Sequence, residues 1–241
     1  MNNDHFPLRD ELAIKEAIHH WFAFFEGETV STYSQLALFD DEIELVHAGE
    51  HLLAKGNEQM KQWLNSIPPE ISSHFVKNIE AKKIRGDVYQ VSWETPYQAV
   101  RDSGDVGGAI IHYQTLVRVS LEGVAKFIFI QKTPFKNNPE TVFHESFRQH
   151  RASALSCRLQ RWLESDETAL PATINALGEA SKMLLNIQQI SGDKRLILQS
   201  SDDGENPGLL MTTDAETYYL SLQQQPGWYP AIANVVAIKN S

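Results

Sequence analysis

The residues of this chain best able to move a proton near neutral pH are histidines on predicted strands, chiefly His74 and His47. Imidazole titrates close to pH 7, and a neutral ring can accept a proton from carbon or oxygen and return it. His74 opens a predicted strand and shares a face with Val76. If that face borders a pocket, it can shuttle a proton; otherwise it is a structural histidine bonded to backbone. His112 shares a face with Gln114 and Arg118, a polar row that suits an open sheet surface. Tyr97, Tyr89, Trp93 and Tyr113 alternate along two further predicted strands, one set on one side of each strand. Amphipathic rings in that pattern suit a pocket that binds an apolar ligand and orients it by a hydroxyl, and they suit core packing equally. Tyr33 and Asp40 are weaker acid/base candidates, since Asp40-Asp41 reads as a solvated turn.

Other chemistries find little support. His19 and His20 are neighbours on a helix and diverge by about 100°, and His47 and His51 span a turn, so no metal site is expected. The glycine-rich 104–108 stretch links two strands instead of feeding a helix N-terminus, which argues against a phosphate loop. There is no Gly-x-Ser-x-Gly elbow, and Ser156-Cys157 on a helix has no histidine partner in view. No cofactor is implied.

The elements that position these residues are legible from periodicity. Residues 10–25 form a helix with Ile14, Ile18, Trp21 and Phe25 as one stripe, widened by Ala17 and Phe22, and Gly27 ends it. A short helix is expected over 31–38, capped by Ser31. Strands follow at 42–48 and 51–55, then a helix from Asn57 that ends before Pro68-Pro69. Four long strands come next: 73–83, 88–100, 109–121 and 126–133. Strands of this length suit a bent, twisted sheet. The predicted first domain, 1–135, is therefore an α+β cone: a curved antiparallel sheet wrapped on helices. Residues 134–139 read as a linker. A smaller helix-led α+β domain, 140–241, is expected to carry helices at 147–163 and 170–190 and short strands at 195–199, 208–212, 217–222 and 231–238. A faint rhyme between His20-Trp21-Phe22 with Glu26 to Thr29, and Arg161-Trp162-Leu163 with Glu164 to Thr168, raises the possibility of a degenerate second copy.

Composition narrows the partners. The chain has 241 residues, is 42% hydrophobic and carries a formal net charge of −10. No Lys/Arg run offsets that charge, so nucleic acid is not an expected partner. One cysteine, Cys157, permits no intrachain disulfide, and the opening residues lack the layout of a secretion signal. No apolar run approaches a membrane span. A cytoplasmic, non-membrane protein is the expectation.

Three runs are similar to a known superfamily: Leu38-Phe39-Asp40-Asp41 entering the first strand; Ala54-Lys55-Gly56-Asn57-Glu58-Gln59-Met60; and Ser73-His74-Phe75-Val76-Lys77-Asn78 followed by Arg85-Gly86-Asp87-Val88-Tyr89-Gln90-Val91. Together they resemble the nuclear-transport-factor-2-like proteins over residues 8–135, nearest to the SnoaL-like polyketide cyclases and ketosteroid isomerases. The resemblance implies a cone-shaped cystatin-like roll and a homodimer. It also implies a small apolar molecule bound in the cone, with isomerase-, cyclase- or dehydratase-type proton transfer carried by His74 with His47 or Tyr97. Trp21, Phe25, Tyr89, Trp93 and Tyr113 would form the ligand wall. Isomerases of the superfamily place a general-base aspartate near the end of the first strand; here that stretch is Leu45-Val46-His47-Ala48-Gly49, with His47 in its place. The rival expectation is a non-catalytic assembly module that buries the Gln90, Ser92, Gln114 and Arg118 face against another subunit.

Overall fold

The computed structural model describes residues 7–27, 30–199 and 207–238. The opening residues 1–6, Glu28 and Thr29 of the acidic rhyme lie outside them. The chain divides into two compact units, Met1–Phe147 and Arg148–Ser241.

In the first unit, α1 (Leu8–Glu26) buries Ile14, Ile18, Trp21 and Phe22 against the sheet, as its apolar stripe requires. Gly27 that follows is extended, with φ at −164°, so no left-handed turn explains it. Its value lies in its size, because a Cβ there would meet the Phe147 ring at 2.5 Å. Next come α2 (Thr32–Gln35), capped by the Ser31 hydroxyl, which accepts from the Ser34 amide at 3.2 Å, and a single 3₁₀ turn, Leu36–Leu38. The strands are β1 (Phe39–His47), β2 (His51–Lys55), β3 (Ile71–His74), β4 (Lys77–Arg85), β5 (Val88–Val100), β6 (Val106–Gly107), β7 (Ala109–Val119) and β8 (Ala125–Asn137). Between β2 and β3 lies α3 (Gly56–Ser66). The sheet runs β2-β1-β8-β7-β5-β3, with β4 and β6 also on β5, and is antiparallel except for the β1–β8 pair. It is an α+β roll: a curved sheet with the apolar face of α1 in its hollow.

Two elements differ from those that the sequence pattern predicts. The strand expected over 73–83 is two strands, β3 and β4, which pair with opposite ends of β5. The break faces Pro96, which has no N–H to give to a ladder; its carbonyl accepts the Phe75 amide instead, at 3.2 Å. The linker expected from Pro134 is strand, because β8 continues to Asn137. Residues 138–146 then return along β5. The Asn138 amide group donates to the Tyr97 carbonyl at 3.1 Å, and Gln98 takes the His144 N–H at 3.0 Å while donating to the Val142 carbonyl at 2.6 Å.

The second unit is a four-stranded antiparallel meander, β9 (Arg195–Gln199), β10 (Gly208–Thr212), β11 (Thr217–Gln223) and β12 (Ala231–Ile238), with α4 (Phe147–Leu163) and α5 (Ala180–Gln188). Leu155, Leu159, Trp162, Leu184, Met211 and Leu220 form its core. The helix expected over 170–190 is only α5; Pro171 and Gly178, at φ +51°, keep the preceding residues out of it. Arg151 on α4 is 1% exposed. Its guanidinium donates to Gln224 Oε1 and the Gln225 carbonyl at 2.5 Å, and to the Gly227 and Tyr229 carbonyls at 2.9 Å. One buried cation thus fixes the whole turn between β11 and β12. Substituting Arg151→Met keeps the aliphatic bulk but strips those acceptors of their donor, and is expected to destabilise this unit by about 3 kcal/mol. Urea unfolding checks it; an unchanged midpoint would contradict it.

Candidate functional site

The hollow of the first unit holds a cavity of about 600 Å³, a volume ordinary for small-molecule sites. The end of α1 contributes Trp21, Phe25 and Glu26; the end of α3 and its exit contribute Trp63 and Glu70; β3 brings Ser72 and His74. Tyr97, Tyr113 and Lys132 enter from β5, β7 and β8. Proline at 68 and 69, which stops α3, turns the chain so that Glu70 reaches the cavity.

The wall also carries a linked polar group. His74 Nδ1 lies 2.9 Å from Glu26 Oε1, and the Glu26 side chain is 1% exposed. Ser146 Oγ donates to both Glu26 oxygens, at 2.9 and 2.8 Å, and accepts the His74 backbone N–H at 2.9 Å. Ser146, Glu26 and His74 therefore close a ring of hydrogen bonds. The His74 ring stacks on Phe22 at 5.2 Å and lies 4.9 Å from the Tyr97 ring. Burial pushes His74 down to about 3, with Glu70 opposing and the positive charge of Lys132 reinforcing the shift. At neutral pH the ring is thus uncharged, Nδ1–H donates to Glu26, and Nε2 carries the basic lone pair. Beside it, Tyr97 Oη donates to Glu70 Oε1 at 2.7 Å, and burial together with that bond raises the Tyr97 pKa, so the phenol stays protonated.

Of the residues singled out from sequence, the cavity brings together His74, Tyr97, Trp21, Phe25 and Tyr113. His47, Trp93 and Tyr89 lie outside its wall, as do His112, Tyr33 and Asp40. His47 ends β1, in register with Lys132 and His51; burial first, then those two charges, lowers its pKa. Trp93 stacks on Tyr113 at 4.8 Å and so supports a wall residue from behind. Tyr89 Oη donates to Asp10 Oδ2 at 2.6 Å and ties the start of α1 to β5. Arg118, in the polar row, ion-pairs with Asp40. Glu26, Ser146, Glu70 and Lys132 were not anticipated. Glu26 had one available signal, a carboxylate one turn beyond Phe22 on the buried helix.

The fold and site define a class: an α+β roll with an interior cavity and a buried carboxylate–imidazole pair. Several solved structures are similar to this chain over about half of its length. A hexachlorocyclohexane dehydrochlorinase (LinA type 2) is 14% identical, covering 56% of this chain and 91% of its own, with a TM-score of 0.47. An NTF2-like protein with a cystatin-like fold from Novosphingobium aromaticivorans is 13% identical over 53% and 83%, with a TM-score of 0.46. A ketosteroid isomerase-like protein from Erwinia carotovora atroseptica is 17% identical over 56% and 99%, with a TM-score of 0.41. These likenesses concern fold alone. No protein-family profile matches the chain, and no curated protein does. Among the described residues, no helix is long and apolar enough to cross a membrane.

The state of His74 has a measurable consequence. Its folded pKa lies below that of the unfolded chain, so the stability it confers is complete above about pH 6.5 and is lost as pH falls toward 3. Between pH 7 and 5.5 this loss is about 1 kcal/mol. His74→Gln, whose amide can still donate to Glu26, is expected to lose less stability than the wild type over that interval by this amount. Equal losses in paired urea titrations would refute it.

Proposed function

We propose that this protein binds a small, largely apolar cyclic molecule in the cavity of its first unit and transfers a proton on it, chemistry of the isomerase, cyclase or dehydratase type that needs no cofactor. His74 Nε2 takes a proton from an acidic carbon of the substrate. Glu26, held by Ser146, fixes the tautomer and stabilises the imidazolium as it forms. Tyr97 presents a protonated phenol to a substrate oxygen on which charge develops. Trp21, Phe25 and Tyr113 clamp the ring system. The observation that carries this reading is the Glu26–His74 contact at 2.9 Å in the wall of a 600 Å³ cavity. An assembly module has no need of an open cone, so the cavity favours the pocket reading.

The test is proton exchange. With 2-tetralone in D2O, followed by proton NMR, the wild type is expected to speed deuterium uptake next to the carbonyl, and His74→Gln and Glu26→Gln to lower the protein-dependent rate by roughly 10²- to 10⁴-fold. Uptake at the buffer rate with wild type, or at undiminished rate with His74→Gln, would contradict the proposal.

A further inference from the structure

The cavity keeps its carboxylates apart from its ammonium. Two carboxylates face it, and both are engaged: Glu26 by His74 and Ser146, Glu70 by Tyr97. The one ammonium in the wall, Lys132, stands in register with Tyr113 across β7 and β8. Among the described residues, no hydrogen bond or ion pair reaches its Nζ; its neighbour is the Trp63 ring, with Nζ 5.1 Å from the centroid. Trp63 in turn stacks almost parallel on Trp21, with centroids 6.1 Å apart and planes 12° apart. A cation–π contact offsets only part of what an ammonium loses on leaving water, and burial accordingly lowers the Lys132 pKa. A direct partner for Nζ is something that a ligand carboxylate can bring.

We infer that the ligand of this cavity is an anion, a planar ring system bearing a carboxylate, with the carboxylate on Lys132 Nζ and the ring against the Trp21–Trp63 stack and Tyr113. Two features converge on that chemistry. The cation opens to the cavity without a protein counter-ion. Its immediate surroundings are aromatic faces, which select a flat apolar body next to the charge. A neutral ligand of the same shape would leave the ammonium desolvated and unanswered, so the site discriminates by charge as well as by shape.

The inference rests on the cavity being a ligand site, and the experiment separates the two. Calorimetric titrations compare 2-naphthoate with its neutral methyl ester on wild type, Lys132→Met and Lys132→Arg. Wild type is expected to bind naphthoate at least about tenfold more tightly than the ester. Lys132→Met should weaken naphthoate at least about tenfold while leaving the ester within about twofold, and Lys132→Arg should keep most of the preference. Binding of both probes with equal affinity, unchanged in Lys132→Met, would overturn the anion assignment and leave the cavity reading standing. Binding of neither probe by wild type would overturn both.

Discussion

Everything distinctive about the first unit depends on keeping the Glu26 carboxylate buried. Taking such a group out of water is tolerable only if its oxygens are answered by donors in fixed positions. Here the donors are the His74 ring and the Ser146 hydroxyl, and Ser146 is in turn anchored by the His74 backbone. Three distant segments, the end of α1, β3 and the 138–146 return, are thereby locked together. The clamp of Gln98 on that return serves the same end, because it delivers Ser146. What looks like a loop closing the sheet is the third side of the polar ring.

That ring also explains why the cavity is polarised. Its polar side holds a neutral imidazole and a protonated phenol, each kept in that form chiefly by burial. The wall also holds a stack of indoles with an ammonium beside it. The Lys132 charge reaches His74 and pulls its pKa down, so an anion seated on Lys132 would relieve that pull and make the ring more basic. Binding and proton transfer would then be coupled through a single charge.

Much of this was legible in the residues. The stripe of α1, the alternation in β5 and β7 and the turn glycines specify which faces are apolar, and they place His74, Tyr97 and Tyr113 on one side of the roll. Periodicity says nothing about how far along a curved sheet a residue falls relative to the hollow. Trp93 therefore shares the face of Tyr113 but stands behind it, while Tyr89 lies far enough along β5 to bond the opening turn of α1. Glu26 and Ser146 are separated from His74 by 48 and 72 positions, and no local pattern announces a contact at that distance. Lys132 reads as one more strand lysine until its surroundings are known. The break between β3 and β4 had a visible cause in Pro96, but on the partner strand, and its effect depends on a register that only pairing reveals.

The protonation state of His74 tests the account most directly. A long-range proton–nitrogen correlation spectrum of the native protein at pH 7 reports the charge and the tautomer of each histidine ring. A neutral His74 with its proton on Nδ1 is expected, a state that Glu26→Gln perturbs. An imidazolium at that pH, or a neutral ring protonated on Nε2, would contradict it, because the nitrogen meant to accept the substrate's proton would already carry one.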